Sequence, residues 1–117
     1  MPSRHRRRRY LDILANIDRI DRFVAGISLD GLVRDEMRLL AVERCLAIIS
    51  EAAVKLGADA EQDAPEIPWR DVRGMGNHLR HGYETVDHGI VWETVQNELP
   101  ALRRACEAAL RRLETDE

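Results

Sequence analysis

From Arg8 to Ile27 the apolar positions Tyr10, Ile13, Leu14, Ile17, Ile20, Val24 and Ile27 recur at steps of three and four, with Asp12, Arg19 and Arg22 between them. That spacing matches the turn of an α-helix and leaves one apolar stripe to bury. The period returns from about Leu32 to Leu56 through Leu39, Leu40, Cys45, Leu46, Ile49 and Ala53. It returns again from His88 to about Leu113 through Ile90, Val91, Val95, Leu99, Leu102, Ala105, Cys106, Ala109 and Leu113. No stretch carries the alternation of a half-buried strand. Several stripes must therefore be buried against one another, and antiparallel helices joined by short connections do this.

The breaks in the period set the elements. "GISLDG" supplies turn chemistry between the first two helices, which should form an antiparallel hairpin. "GADAEQDAPEIPW" reads as the one true linker, opening on a glycine where a helix would end and closing on Pro65 and Pro68. Pro68 fits the first turn of a third helix, which should fade near Tyr83, and Asp87 can cap a fourth. Pro100 lies inside the fourth pattern and removes a backbone hydrogen bond, so a kink or break is expected near Asn97. The fold predicted is an all-α antiparallel bundle of four to five helices. It forms a single domain over residues 1–117, with residues 1–8 as a disordered basic tail.

At 117 residues, 44% hydrophobic and 33% charged, the chain is an ordinary one-domain length and composition. No apolar run approaches the roughly 20 residues of a membrane-spanning helix. Asp12, Asp18 and Arg19 interrupt what would be the apolar region of a signal peptide, so a cytoplasmic protein with no membrane partner is expected. Cys45 and Cys106 sit among alanines and leucines and read as small buried residues of a reduced protein. The net charge of −3 excludes a uniformly basic nucleic-acid binder, yet five of the first nine residues are arginine. A local basic patch, able to touch phosphate, stays open beside a plainly solvated tail.

"RGMGNHLRHGYETVD", residues 73–87, concentrates the chemistry. At 100° per residue Val72, Met75, Gly76, Leu79 and Tyr83 share the core side, and Gly74, Asn77, His78 and His81 the opposite side, flanked by Arg73, Arg80 and Glu84. Each interior glycine costs roughly 1 kcal/mol of helix stability relative to alanine. Close approach compensates for that cost. Gly76 suggests tight packing on a neighbouring helix, whereas Gly74 would admit a second protomer or a phosphate. His78, His81 and His88 lack the spacing of a helical zinc site, and neither a metal nor another cofactor is expected. Trp69 and Trp92 read as core residues at helix ends.

The stretch "GMGNHLRHGYETVDHGIVWETV" resembles the HepT-like group of HEPN-domain proteins, whose hallmark is an arginine, a polar residue, a short gap, His-x-Tyr, an aspartate and an apolar-Trp pair. Asn77, His81, Tyr83, Asp87 and Val91-Trp92 fall in register. "RRYLDILANIDRI", "AVERCLAIISEAA" and "LPALRRACEAAL" are similar to the family's other helices, so the likeness extends over nearly the whole chain and is specific in these 22 residues. The family's arginine stands five positions before the motif histidine, and Gly76 occupies that place here. Arg73 stands five before His78, but no tyrosine follows His78 at the family spacing.

The resemblance implies a HEPN-like bundle acting as a metal-independent endoribonuclease, the toxin of a toxin–antitoxin pair. Its partners would be an RNA substrate, a second copy in a homodimer and a minimal nucleotidyltransferase antitoxin. His81 would exchange protons, Arg73 or Arg80 would steady the phosphate charge, and Asn77 would bind phosphate or orient the histidine. His78 and Glu51 are secondary candidates. Tyr83 would be the acceptor of AMP from the partner enzyme, although a buried tyrosine anchoring the turn is the other reading. A catalytically weak HEPN-fold protein that binds the nucleotidyltransferase or accepts its AMP is the alternative function.

Overall fold

The structure, a computed structural model, describes residues 3–81 and 87–116, without the side chains of Arg80, His81 and Asp116. Its helices are α1 (Ser3–Val24), α2 (Leu29–Arg34), α3 (Glu36–Leu56), α4 (Ala58–Asp63), α5 (Trp69–His81), α6 (His88–Glu93) and α7 (Leu99–Asp116), with a π-helical turn (Thr94–Glu98) joining the last two. Among the described residues there is no strand, and the all-α bundle expected from the period is what forms. No described helix is long and apolar enough to cross a membrane.

α3 is the central rod, with α1 on one flank and α5 on the other, and α7 closes on α1. Ion pairs fix α1 and α7 as antiparallel. Arg7 near the start of α1 meets Glu114 near the end of α7 at 3.8 Å, and Arg103 near the start of α7 meets Asp18 and Asp21 at 2.7 and 2.6 Å. The core joins Tyr10, Ile13, Ile17 and Ile20 of α1 to Leu46, Ile49 and Ala53 of α3 and to Leu102, Cys106 and Ala109 of α7. Both cysteines are buried and free, as their setting suggested, and burial pushes the Cys106 thiol up to about 12.

Four expectations change. The arginine run is helical from Ser3 rather than a disordered tail over 1–8, because its charges find partners: Arg6 donates to Asp63 at 3.0 Å and Arg9 to Asp12 at 3.4 Å. The second helix is divided. Ser28 caps α2 by accepting from the Gly31 N–H, and Asp35 breaks the run to cap α3 by accepting from Arg38 N–H, each at 3.1 Å. The expected linker holds α4, whose Asp63 accepts a 2.6 Å hydrogen bond from the fully buried Tyr10 hydroxyl. Arg112 also donates to the Asp63 carbonyl, so α1, α4 and α7 meet at one residue. Lastly, Leu40 and Ile90, read as core, are 57% and 56% exposed.

The disturbance expected near Asn97 is the π-helical turn. Leu99 N–H reaches back to the Thr94 carbonyl, and the widened turn precedes the proline that would crowd an ordinary α-helical carbonyl. Asp87 caps α6 as the sequence suggested, accepting from Gly89 N–H at 2.8 Å and Ile90 N–H at 3.3 Å.

A candidate catalytic face on α5

α5 begins where the chain has just turned a corner. Gly57, at φ 59°, ends α3, and Pro68 offers its carbonyl to Asp71 and Val72 N–H at 3.0 and 3.1 Å. Trp69 is 1% exposed, and its indole N–H donates to the Ala64 carbonyl at 2.9 Å, which seats the first turn of α5 on the core. From there Val72, Met75 and Leu79 pack against the core, and Gly76 is buried. Asn77, His78 and Gly74 are exposed on the other side. The division into an apolar and a polar face is therefore the one the spacing predicts.

Gly76 packs tightly, and through chemistry the sequence did not announce. The buried Ser50 hydroxyl of α3 donates to the Arg73 carbonyl at 2.7 Å and accepts from Gly76 N–H at 2.9 Å. One side chain thus pins α3 to the backbone of α5 at the position where the family carries arginine. The available signal was a serine on the apolar face of a helix, alongside Leu46, Ile49 and Ala53, with a glycine in the helix that covers it. Gly74 differs: nothing lies within 4 Å of a Cβ built there.

Arg73 is not aimed along the polar face. Its Nε donates to the Ala53 carbonyl at 3.3 Å, Nη2 to the Gly57 carbonyl at 2.8 Å, and the fork closes on Glu61 at 2.5 and 3.0 Å. It adds a second donor to carbonyls that Gly57 and Ala60 N–H already reach at 3.3 and 3.1 Å, at the end of α3, where a cation also complements the helix dipole. The hydrogen bond from Arg73 is the main reason the Glu61 carboxyl lies below its ordinary range, and the same bond raises the guanidinium. Glu51 is exposed and pairs with Lys55 at 3.4 Å, and its neighbour Ser50 is the one of the two that bonds to α5.

The polar face therefore brings Asn77 and His78 together beside Gly74, while Arg73 is turned to the α3–α4 corner. His81 is the last residue of α5 and Arg80 precedes it; their side chains, and all of Tyr83, lie outside the described residues. On the α6–α7 side of this face runs a groove of about 730 Å³, floored by Val72, Met75, Leu99 and Leu102 and edged by His78 and Asn97. Among the described residues no three His, Cys, Asp or Glu side chains are grouped to hold a metal ion.

Comparison with known proteins places the chain in a family. The chain is 33% identical to the protein named "Putative RNase MJ0125" of Methanocaldococcus jannaschii, over 97% of this chain and 98% of the relative. It is 36% identical to the "Probable ribonuclease HepT" of Thermococcus cleftensis, over 79% of this chain and 84% of that one. It is 33% identical to "Putative RNase TTE0752" of Caldanaerobacter subterraneus subsp. tengcongensis, over 90% and 95%. No solved structure gives a significant match. The model of the family described as "Ribonuclease HepT-like" matches residues 13–109, which include the whole of α3, α5 and α6, and the chain belongs to the HepT-like ribonuclease family.

Proposed function

We propose that the chain is a HepT-like endoribonuclease that cleaves RNA without a metal, at a site built around His81 at the end of α5. The observation that carries the reading is the exposed polar face of that helix, with Asn77 and His78 leading to His81, inside the stretch matched by the ribonuclease family. RNA brings its own nucleophile. Removing the proton from a 2′-hydroxyl lets that oxygen bond to the adjacent phosphorus, the bond to the 5′-oxygen breaks, and a proton returned to that oxygen leaves a 2′,3′-cyclic phosphate and a 5′-hydroxyl. An imidazole with an ordinary pKa near 6.5 can take or give these protons near neutrality. Two imidazoles on opposite sides of the phosphate are better than one, and a two-fold homodimer joined across the α5 faces would supply them. The open space at Gly74 suits such an approach.

Because Arg73 is engaged at the end of α3, Arg80 is the better candidate for the charge on the phosphate. Asn77 would bind the phosphate or orient His81. A minimal nucleotidyltransferase would act as antitoxin by transferring AMP to Tyr83, since a bulky anion beside the site opposes phosphate. The engagement of Arg73 and the glycine at position 76 also favour a second reading, in which catalysis is weak and the chain serves mainly as binding partner and AMP acceptor.

Labelled structured RNA in the presence of a chelator tests the first reading. Wild type should cleave it, and His81→Ala should lose roughly 10²–10⁴-fold in rate, as removal of a general acid–base does. Arg80→Ala should lose rate with its fold intact, whereas Arg73→Ala should lose stability. No cleavage by folded wild-type protein, with a mass increase of one AMP on Tyr83 when nucleotidyltransferase and ATP are added, would establish the second reading instead.

A further inference from the structure

α1 turns Tyr10, Ile13, Ile17 and Ile20 inward, and the 100° step then sets Arg4, Arg8, Arg19 and Arg22 on its opposite, exposed face. Acids of the same helix do not neutralise this face. Asp18 and Asp21 are drawn aside by Arg103 of α7, and Asp12 by Arg9. Arg4, Arg8 and Arg22 make no ion pair among the described residues, and Arg19 donates to the Asn16 side chain at 3.1 Å. Arg44, exposed on α3 next to the buried Cys45, continues the patch: burial pushes the Cys45 thiol up, and Arg19, Arg22 and Arg44 oppose that rise from nearby. The stripe from Arg4 to Arg22 is about 27 Å long at 1.5 Å per residue.

Its position is informative. The acidic flank of α1 faces α7, and the basic flank lies toward α3, which packs on both α1 and the candidate catalytic helix α5. Positive charge is costly at the start of the stripe, since α1 has no acid in its first turn and an arginine there opposes the helix dipole by roughly 0.3–1 kcal/mol, whereas Arg22 in the last turn complements it. A polyanion on this face would offset that cost. Along α1 Leu11 is the one large apolar side chain exposed, and Leu40 is exposed one turn before Arg44 on α3, so the test below reads lipid as well as RNA.

We propose that Arg4, Arg8, Arg19, Arg22 and Arg44 form a phosphate-tracking surface for single-stranded RNA, which holds the strand along α1 and directs it across α3 toward α5. This rests on the ribonuclease reading for the identity of the polyanion, but its test reads binding and not cleavage.

The test uses the full chain carrying His81→Ala, to prevent turnover, and a labelled single-stranded RNA 20-mer whose anisotropy is followed from 50 to 300 mM KCl. Adding Arg8→Gln, Arg19→Gln and Arg22→Gln should weaken binding at least tenfold at 100 mM salt. It should also flatten the plot of log affinity against log salt by about 2, as the loss of three single-strand phosphate contacts requires. A control of equal charge change, Arg34→Gln with Arg104→Gln and Arg111→Gln, should shift affinity less than threefold. Equal losses in both variants, or an unchanged slope in the first, would overturn the proposal. So would tight binding to phosphatidylglycerol vesicles with none to RNA. Retained RNA binding with the predicted slopes, from a chain whose wild type cleaves nothing, would support the surface while removing the nuclease reading.

Discussion

Ser50 and Arg73 tie α5 to α3 by different chemistry, and only one of them was visible in the sequence. Arg73 stood out as a charge near the motif, and the structure gives its fork to Ala53, Gly57 and Glu61. A linear sequence cannot show that, because the carbonyls at the end of α3 become neighbours only after the chain has turned at Gly57. Ser50 did not stand out at all, since a hydroxyl on an apolar helix face is read as a small residue until its partners are known. Ser50→Ala removes a buried group that both donates and accepts, and should destabilise the chain by about 1–2 kcal/mol. Urea denaturation checks this, and a change below about 0.5 kcal/mol would show that the pin carries little. The exposure of Asn77 and His78 was legible because the helical period sets them opposite Val72, Met75 and Leu79.

At the scale of elements, the long helices α1, α3 and α7 were legible because their apolar stripes are long enough to average out local exceptions. The short α2 and α4 were not. Each is six residues, less than two turns, and each exists through local or tertiary partners: the Ser28 and Asp35 side chains for one, and the grip of Tyr10, Arg6 and Arg112 on Asp63 for the other. Leu40 and Ile90 misled for a related reason, since an apolar residue at the edge of a stripe has no fixed side until the neighbours are placed. Gly74 offers a test at this scale. With open space around it, Gly74→Ala should leave the fold intact and add up to about 1 kcal/mol of helix stability. Gly74→Leu should fold equally well but shift the protein toward monomer in sedimentation if α5 faces a second copy. Unchanged assembly would mean that no second copy packs on α5.

Across the whole molecule, the sequence carried the fold class through one repeated period, and the order of packing emerged only from ion pairs between distant helices. Those pairs have a topological consequence. Arg7 and Glu114 lie 3.8 Å apart, and Asp63 gathers Arg6 and Arg112, so the first turns of α1 and the last turns of α7 occupy one corner. The bundle is nearly a closed loop of chain, and the peptide bond at which it is opened matters less than the circuit. A circular permutant with its ends joined by a short glycine–serine linker and reopened at the exposed Ala25–Gly26 turn should regain the helical circular dichroism of the parent and unfold cooperatively. Loss of cooperative unfolding would mean that α1 must be made before α3 to be packed at all, and that the order of synthesis, as well as the set of contacts, is part of how this chain folds.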